Sequence, residues 1–198
     1  MLDTNARKIV QPLIEKTADT FIRLNLSANK VTVIALIVGL LPSVFIFAGN
    51  YNVVAVIILW FSGYLDAVDG TIARKTNSSS LFGTIMDITF DRIVEISLIL
   101  VLSYKYSNNQ FIFILLASSI ILSMTIFLTV AAASEKKSEK TFYYQPGLAE
   151  RTEGFVMFSL MMIITKYVDF ICVIFVIMIL YTALQRFIEA YKYFHKMK

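Results

Sequence analysis

Residues 53–72 read VVAVIILWFSGYLDAVDGTI, and residues 81–103 read LFGTIMDITFDRIVEISLILVLS. Each stretch is about as long as the 20 apolar residues a helix needs to cross the hydrocarbon of a bilayer. Yet Asp66, Asp69, Asp87, Asp91 and Glu95 lie in or beside them, and an ionised side chain at such a position costs roughly 2.5–3.5 kcal/mol on insertion scales. A single acid at a helix end reaches water and needs no further account. Four acids at helical spacings do: Asp66 and Asp69 are three apart and Asp87 and Asp91 four apart, so each pair projects from one side of its helix.

The rest of the chain supports a membrane setting. It has 198 residues, 58% hydrophobic and 16% charged, with a mean hydropathy of +0.72, too little polar surface for a soluble domain. Seven Gly and three Pro leave few turns, which favours long helices over a transmembrane barrel. The single Cys172 and single His195 exclude a disulfide framework, a Cys/His zinc site and a Cys–His nucleophilic pair. Any chemistry runs on carboxylates, hydroxyls and cations.

Outward from the acid-bearing stretches, apolar runs recur at about Val31–Ala48, Val53–Ile72, Leu81–Ser103, Phe111–Ala133, Thr152–Ile164 and Phe170–Tyr191. They predict an all-α integral membrane protein with six spans, the fifth extended backwards through Gly147–Arg151. Before them, from Asp3 to about Leu24, Ile9, Val10, Leu13, Ile14, Ala18, Phe21 and Ile22 share one helical face, with charges on the others. This is an amphipathic interfacial helix without a signal-peptide pattern. The expected organisation is a juxtamembrane helix over residues 1–29 and a six-helix membrane domain over residues 30–198. With both termini on one side, Lys and Arg divide 15 to 2 between the two faces, Arg92 lying within a span. That bias puts the termini and the acid-bearing ends on the cytoplasmic side.

On that topology the second span ends and the third begins at the same face, so the two acid pairs meet at similar depth. Four converging carboxylates repel strongly, and only Arg74, Lys75 and Arg92 are basic nearby. Divalent cations resolve the conflict: oxygen-only ligands favour Mg²⁺ or Mn²⁺, and two ions about 3.5–4 Å apart suit four carboxylates. A proton relay or a structural ion network is the alternative for intramembrane acids. Gly70, Ala73 and Gly83 leave room for a close approach to backbone, Gly83 being expected just before the third span, where free N–H groups favour anions. Arg74 can pair a phosphate in bidentate fashion.

Taken together, Asp66-Ala-Val-Asp69-Gly70-Thr-Ile-Ala73-Arg74, eight residues, Gly83, three residues, Asp87, three residues, Asp91 resembles DxxDGxxAR…GxxxDxxxD, the signature of the CDP-alcohol phosphotransferase family. At average composition, eight fixed positions coincide by chance on the order of once in 10¹⁰ starting points. The resemblance implies a homodimeric membrane enzyme of phospholipid biosynthesis. It would move a phosphatidyl group from CDP-diacylglycerol or a related CDP-linked lipid to a polar alcohol and release CMP. It implies metal ligation by Asp66, Asp69 and Asp87, ligation or general-base action by Asp91, and a CDP site lined by Gly70, Ala73, Arg74 and Gly83. It also implies a cell-membrane location and no nucleic-acid partner.

For the acceptor, Glu150-Arg151-Thr152-Glu153, Gln185-Arg186 and Asp91-Arg92 are similar to the branch that attaches inositol phosphate, so Arg92, Arg151 and Arg186 become acceptor candidates. Arg151 and Arg186 are equally readable as positive-inside anchors. That branch carries Lys-x-Arg where this chain has Ala131-Ala132-Ala133; either Lys136 or Lys137 reaches in, or the acceptor is less charged. Glu95 pairs with Arg92 or lines the acceptor cavity. The competing expectations are transfer to glycerol phosphate and, from another class, a small divalent-cation transporter.

Overall fold

The structure, a computed structural model, describes residues 2–49, 51–134 and 147–195, and the side chains from residue 10 onward. Lys136 and Lys137 lie outside the described residues. The described residues are all-helical: α1 (Leu2–Arg23), α2 (Ala28–Ala48), α3 (Asn52–Lys75), α4 (Leu81–Lys105), α5 (Gln110–Ser134), α6 (Arg151–Ile163) and α7 (Val168–His195). They form two compact units, Met1–Ser107 and Asn108–Lys198.

In the first unit α1 buries part of its apolar face, Val10 and Leu13 of that face being exposed. Ile14 and Ala18 are buried against Val68 and Ile72 of α3 and Ala28 and Val31 of α2, whereas Leu13 and Leu24 are exposed. The helix stops where Asn25 turns left-handed (φ 57°). The amide of Leu26 donates to the Phe21 carbonyl and that of Asn25 to the Ile22 carbonyl, both at 3.0 Å, so the last carbonyls are satisfied by a Schellman cap. Helix α3 ends the same way at Asn77 (φ 51°), with Ser78 donating to Ala73 at 3.0 Å and Asn77 to Arg74 at 3.4 Å. Asn is the non-glycine residue best able to take that conformation.

Helix α2 packs against both α3 and α4, and a glycine permits it. A Cβ on Gly39 would stand 2.6 Å from Val94 Cγ2 of α4 and 2.7 Å from Ser62 Oγ of α3. Ser62 donates to the Ala35 carbonyl at 2.9 Å, and Ser43 bonds Ser97 at 2.9 Å. Between membrane helices such close approach and hydroxyl pairing do what apolar burial does in water. At the far end of α4, Lys105 Nζ donates to the Gly49 carbonyl at 3.4 Å and to Asn52 Oδ1 at 3.3 Å, which closes the C-terminus of α2 with a cation.

In the second unit α7 packs on α5 and α6. Phe158 meets Phe175 edge to face at 5.5 Å, and Asn109 is hydrogen-bonded to Asp169. Four of the six expected spans are helices long and apolar enough to cross a membrane: Ala28–Ala48, Asn52–Lys75, Ser107–Ser134 and Thr165–His195. The six-span count is not reached on that measure. Helix α4 has the length, 25 residues, but carries Asp87, Asp91, Arg92 and Glu95. Helix α6 has only 13 residues, about 20 Å at 1.5 Å per residue.

The expected backward extension of α6 does not form, because the helix starts at Arg151. Upstream, the Gly147 amide is taken by Glu150 Oε1 at 3.1 Å and the Ala149 amide by Thr182 Oγ1 at 2.8 Å. A Cβ at position 147 would stand 2.1 Å from Thr182 Cγ2. Side-chain acceptors and close contact with α7 thus replace helical bonds there.

Candidate metal centre

Asp66 on α3 and Asp87 and Asp91 on α4 each place one carboxylate oxygen so that all three lie within 4.8 Å of one another. All three side chains are half-buried. The four-residue spacing on α4 stacks Asp87 over Asp91, and α3 supplies the third carboxylate from across the gap. A divalent ion with oxygens at about 2.1 Å has neighbouring ligands about 3.0 Å apart and opposite ones about 4.2 Å apart. The trio, with its oxygens within 4.8 Å of one another, could therefore close on one Mg²⁺- or Mn²⁺-sized ion, whose preference for oxygen ligands it matches. Three anionic groups at this spacing inside an apolar helical layer are costly without a cation.

Asp69, the fourth expected ligand, is 6% exposed on the same helix and lies outside the trio. Its three-residue offset from Asp66 turns it roughly 60° around α3. Beside it, a Cβ on Gly70 would meet only Arg74 Nη1, at 3.4 Å. Arg74 is exposed, and its Nη2 donates to Thr71 Oγ1 at 2.9 Å. Ala73, half-buried, sits where the Schellman cap closes α3.

Gly83 corrects an expectation. It lies inside the first turn of α4 rather than before it, and its amide is bound to Ser80 Oγ at 3.0 Å. Ser80 is the N-cap, and the serine three residues ahead of Gly83 was the available signal. Of the two readings of Glu95, the pairing is the one observed: Glu95, 8% exposed, forms an ion pair with Arg92 three residues away.

Two further candidates belong to the second unit. The Arg151 guanidinium lies 5.6 Å over the Phe155 ring. Arg186 is 8% exposed, its Nη1 3.3 Å from Ser123 Oγ and its guanidinium 4.8 Å over Phe127. Burial on hydroxyl and aromatic partners separates Arg186 from a snorkelling surface anchor.

Residues 25–193 match the CDP-alcohol phosphatidyltransferase family. The chain belongs to that family. Among curated relatives is the archaetidylinositol phosphate synthase of Pyrococcus horikoshii, 36% identical over half of this chain and 52% of its own length. Another is the CDP-diacylglycerol–inositol 3-phosphatidyltransferase of Candida albicans, 34% identical over 49% of this chain and 44% of its own. The chain thus spans about half the length of these relatives. The phosphatidylinositol phosphate synthase of Mycobacterium tuberculosis shares the fold. Its structure with CDP-DAG bound gives a TM-score of 0.73 at 17% identity, over 91% of this chain and 94% of that one. Its complex with manganese and citrate gives a TM-score of 0.75 at 16% identity, over 90% and 88%.

Proposed function

We propose that the protein transfers a phosphatidyl group from CDP-diacylglycerol to a polar alcohol, an inositol phosphate-like acceptor being favoured, and releases CMP. The observation that carries this reading is the carboxylate trio of Asp66, Asp87 and Asp91 within 4.8 Å, set in the family motif. Manganese in one structure of the mycobacterial relative and CDP-DAG in another support the choice of cofactor and donor.

In this reading Asp66, Asp69, Asp87 and Asp91 hold two divalent ions, Mg²⁺ or Mn²⁺. Bound there, the ions would neutralise the donor's diphosphate and the CMP that leaves. Gly70 lets the nucleotide approach the backbone of α3, and Arg74 pairs with donor phosphate. The acceptor hydroxyl oxygen forms a bond to the phosphorus that carries the lipid, the bond from that phosphorus to CMP breaks, and the hydroxyl proton passes to Asp91. Arg186 and Arg151 serve a phosphorylated acceptor, with Arg92 held by Glu95. The motif acids fall in the second half of α3 and the first half of α4 rather than along whole helices, which favours transfer over a cation pathway.

We further infer a homodimer in the cell membrane, with the site and both termini facing the cytoplasm. The test is CMP release from CDP-diacylglycerol by purified full chain with Mg²⁺ or Mn²⁺, across inositol phosphate, inositol, glycerol phosphate and serine. Release with inositol phosphate alone supports the full reading, and release with glycerol phosphate alone replaces the acceptor. No metal-dependent release with any of them removes the transferase.

A further inference from the structure

Helix α3 is held on the side away from the carboxylate trio. Tyr64 Oη lies 2.6 Å from Thr17 Oγ1 and 3.2 Å from the Leu13 carbonyl oxygen, both on α1. A phenol has one proton, and the carbonyl can only accept it. The direction of both bonds follows: Tyr64 donates to Leu13, and Thr17 donates to Tyr64. One and two turns further along the same face, Val68 and Ile72 bury against Ile14 and Ala18, so the 64–68–72 stripe of α3 is its docking face for α1. Lys75 reaches Asp19 at 2.6 Å, but with 34% and 52% of the two side chains exposed this ion pair is worth little. The Thr17–Tyr64 bond is part-buried and so the better-shielded link, whereas the bond to the Leu13 carbonyl is exposed.

Two residues after Tyr64 comes Asp66, pointing to the opposite side. Helix side chains extend about 5–6 Å from the axis, so a rotation of α3 by roughly 10° displaces the Asp66 carboxylate by about 1 Å. Metal sites tolerate departures of about 0.2 Å. We propose that Tyr64 is a positioning residue for the metal centre: held by Thr17 and Leu13 of the interfacial helix, it fixes the rotation of α3 and so the place of Asp66 relative to Asp87 and Asp91. Tyr64 touches none of the reacting groups and acts through Asp66. The proposal rests on the reading that the trio binds a divalent cation.

The experiment is a Mn²⁺ titration followed by electron paramagnetic resonance, with thermal unfolding alongside, on the full chain in lipid nanodiscs. It compares the unsubstituted protein with Tyr64→Phe, Thr17→Val, Thr17→Ser and Asp66→Asn. A misplacement of Asp66 that costs the metal-bound state about 0.6–1.4 kcal/mol relative to the free one weakens binding about 3- to 10-fold. That is the result expected for Tyr64→Phe and Thr17→Val, with Thr17→Ser restoring the original affinity because it keeps the hydroxyl. A purely structural tie would lower the unfolding midpoint and leave Mn²⁺ affinity untouched. If Asp66→Asn loses binding while Tyr64→Phe and Thr17→Val bind normally, the positioning role is overturned and the metal reading stands. Should Asp66→Asn bind Mn²⁺ like the unsubstituted protein, the metal reading fails and this inference with it.

Discussion

The Gly83 amide donates to Ser80 Oγ at 3.0 Å, so the start of the helix that carries Asp87 and Asp91 is fixed by a side chain from the α3–α4 connection. Ser80→Ala should cost about 1 kcal/mol, the usual worth of an N-cap, read as a lower unfolding midpoint in detergent. Ser80→Asp keeps an acceptor and should hold the midpoint. A midpoint unchanged in Ser80→Ala would mean that the cap contributes nothing.

At Gly39, α2 comes close to side chains of both α3 and α4. Gly39→Val should destabilise by about 1–3 kcal/mol through overpacking, because its Cβ would fall 2.6 Å from Val94 Cγ2. Pairing Gly39→Val with Val94→Ala should return part of that loss, and a double-mutant cycle measures the coupling.

Removing the proton acceptor separates chemistry from binding. Asp91→Asn should lower turnover by about 10²–10⁴-fold at saturating metal and, because Asp91 is also one of the three converging carboxylates, raise the metal concentration needed; CMP release and equilibrium binding of the CDP-linked donor, each followed across metal concentrations, separate the two effects. Undiminished turnover would move the base elsewhere.

Divalent ions should be required throughout. Chelation with EDTA should end CMP release, and Mg²⁺ or Mn²⁺ should restore it. Asp87→Asn should raise the metal concentration needed for half-maximal rate, since it removes the negative charge of one of the three converging carboxylates. A rate indifferent to EDTA would leave the trio without a catalytic purpose.

The buried Arg186 gives a test of acceptor charge. Arg186→Ala should raise KM for a phosphorylated alcohol about tenfold or more and leave KM for the CDP-linked donor nearly unchanged. Equal changes in both would remove Arg186 from the acceptor role.

How far the sequence could be read follows from the range of each interaction. Apolar runs located α2, α3, α4, α5 and α7 because bilayer length and helical period are local properties. They began α2 at Val31 rather than Ala28, since hydropathy senses oil and the helix reaches back through the polar Asn29-Lys30 to Ala28. The spacing of Asp66, Asp87 and Asp91 made their convergence legible once the two spans were taken as antiparallel. By contrast, the Thr17–Tyr64 bond joins residues 47 apart, and nothing in either neighbourhood announces it. The late start of α6 was hidden for the same reason: Thr182, which takes the Ala149 amide, lies 33 residues downstream.

Helix α6 falls about 10 Å short of a hydrocarbon layer about 30 Å thick. Hydrophobic mismatch costs fractions of a kcal/mol per Å, so a crossing by α6 alone would carry a penalty of a few kcal/mol. Acyl-chain length is then the variable that reads out whether α6 crosses: if it does, shorter-chain lipids should raise the unfolding midpoint, and if it does not, the midpoint should be indifferent to chain length.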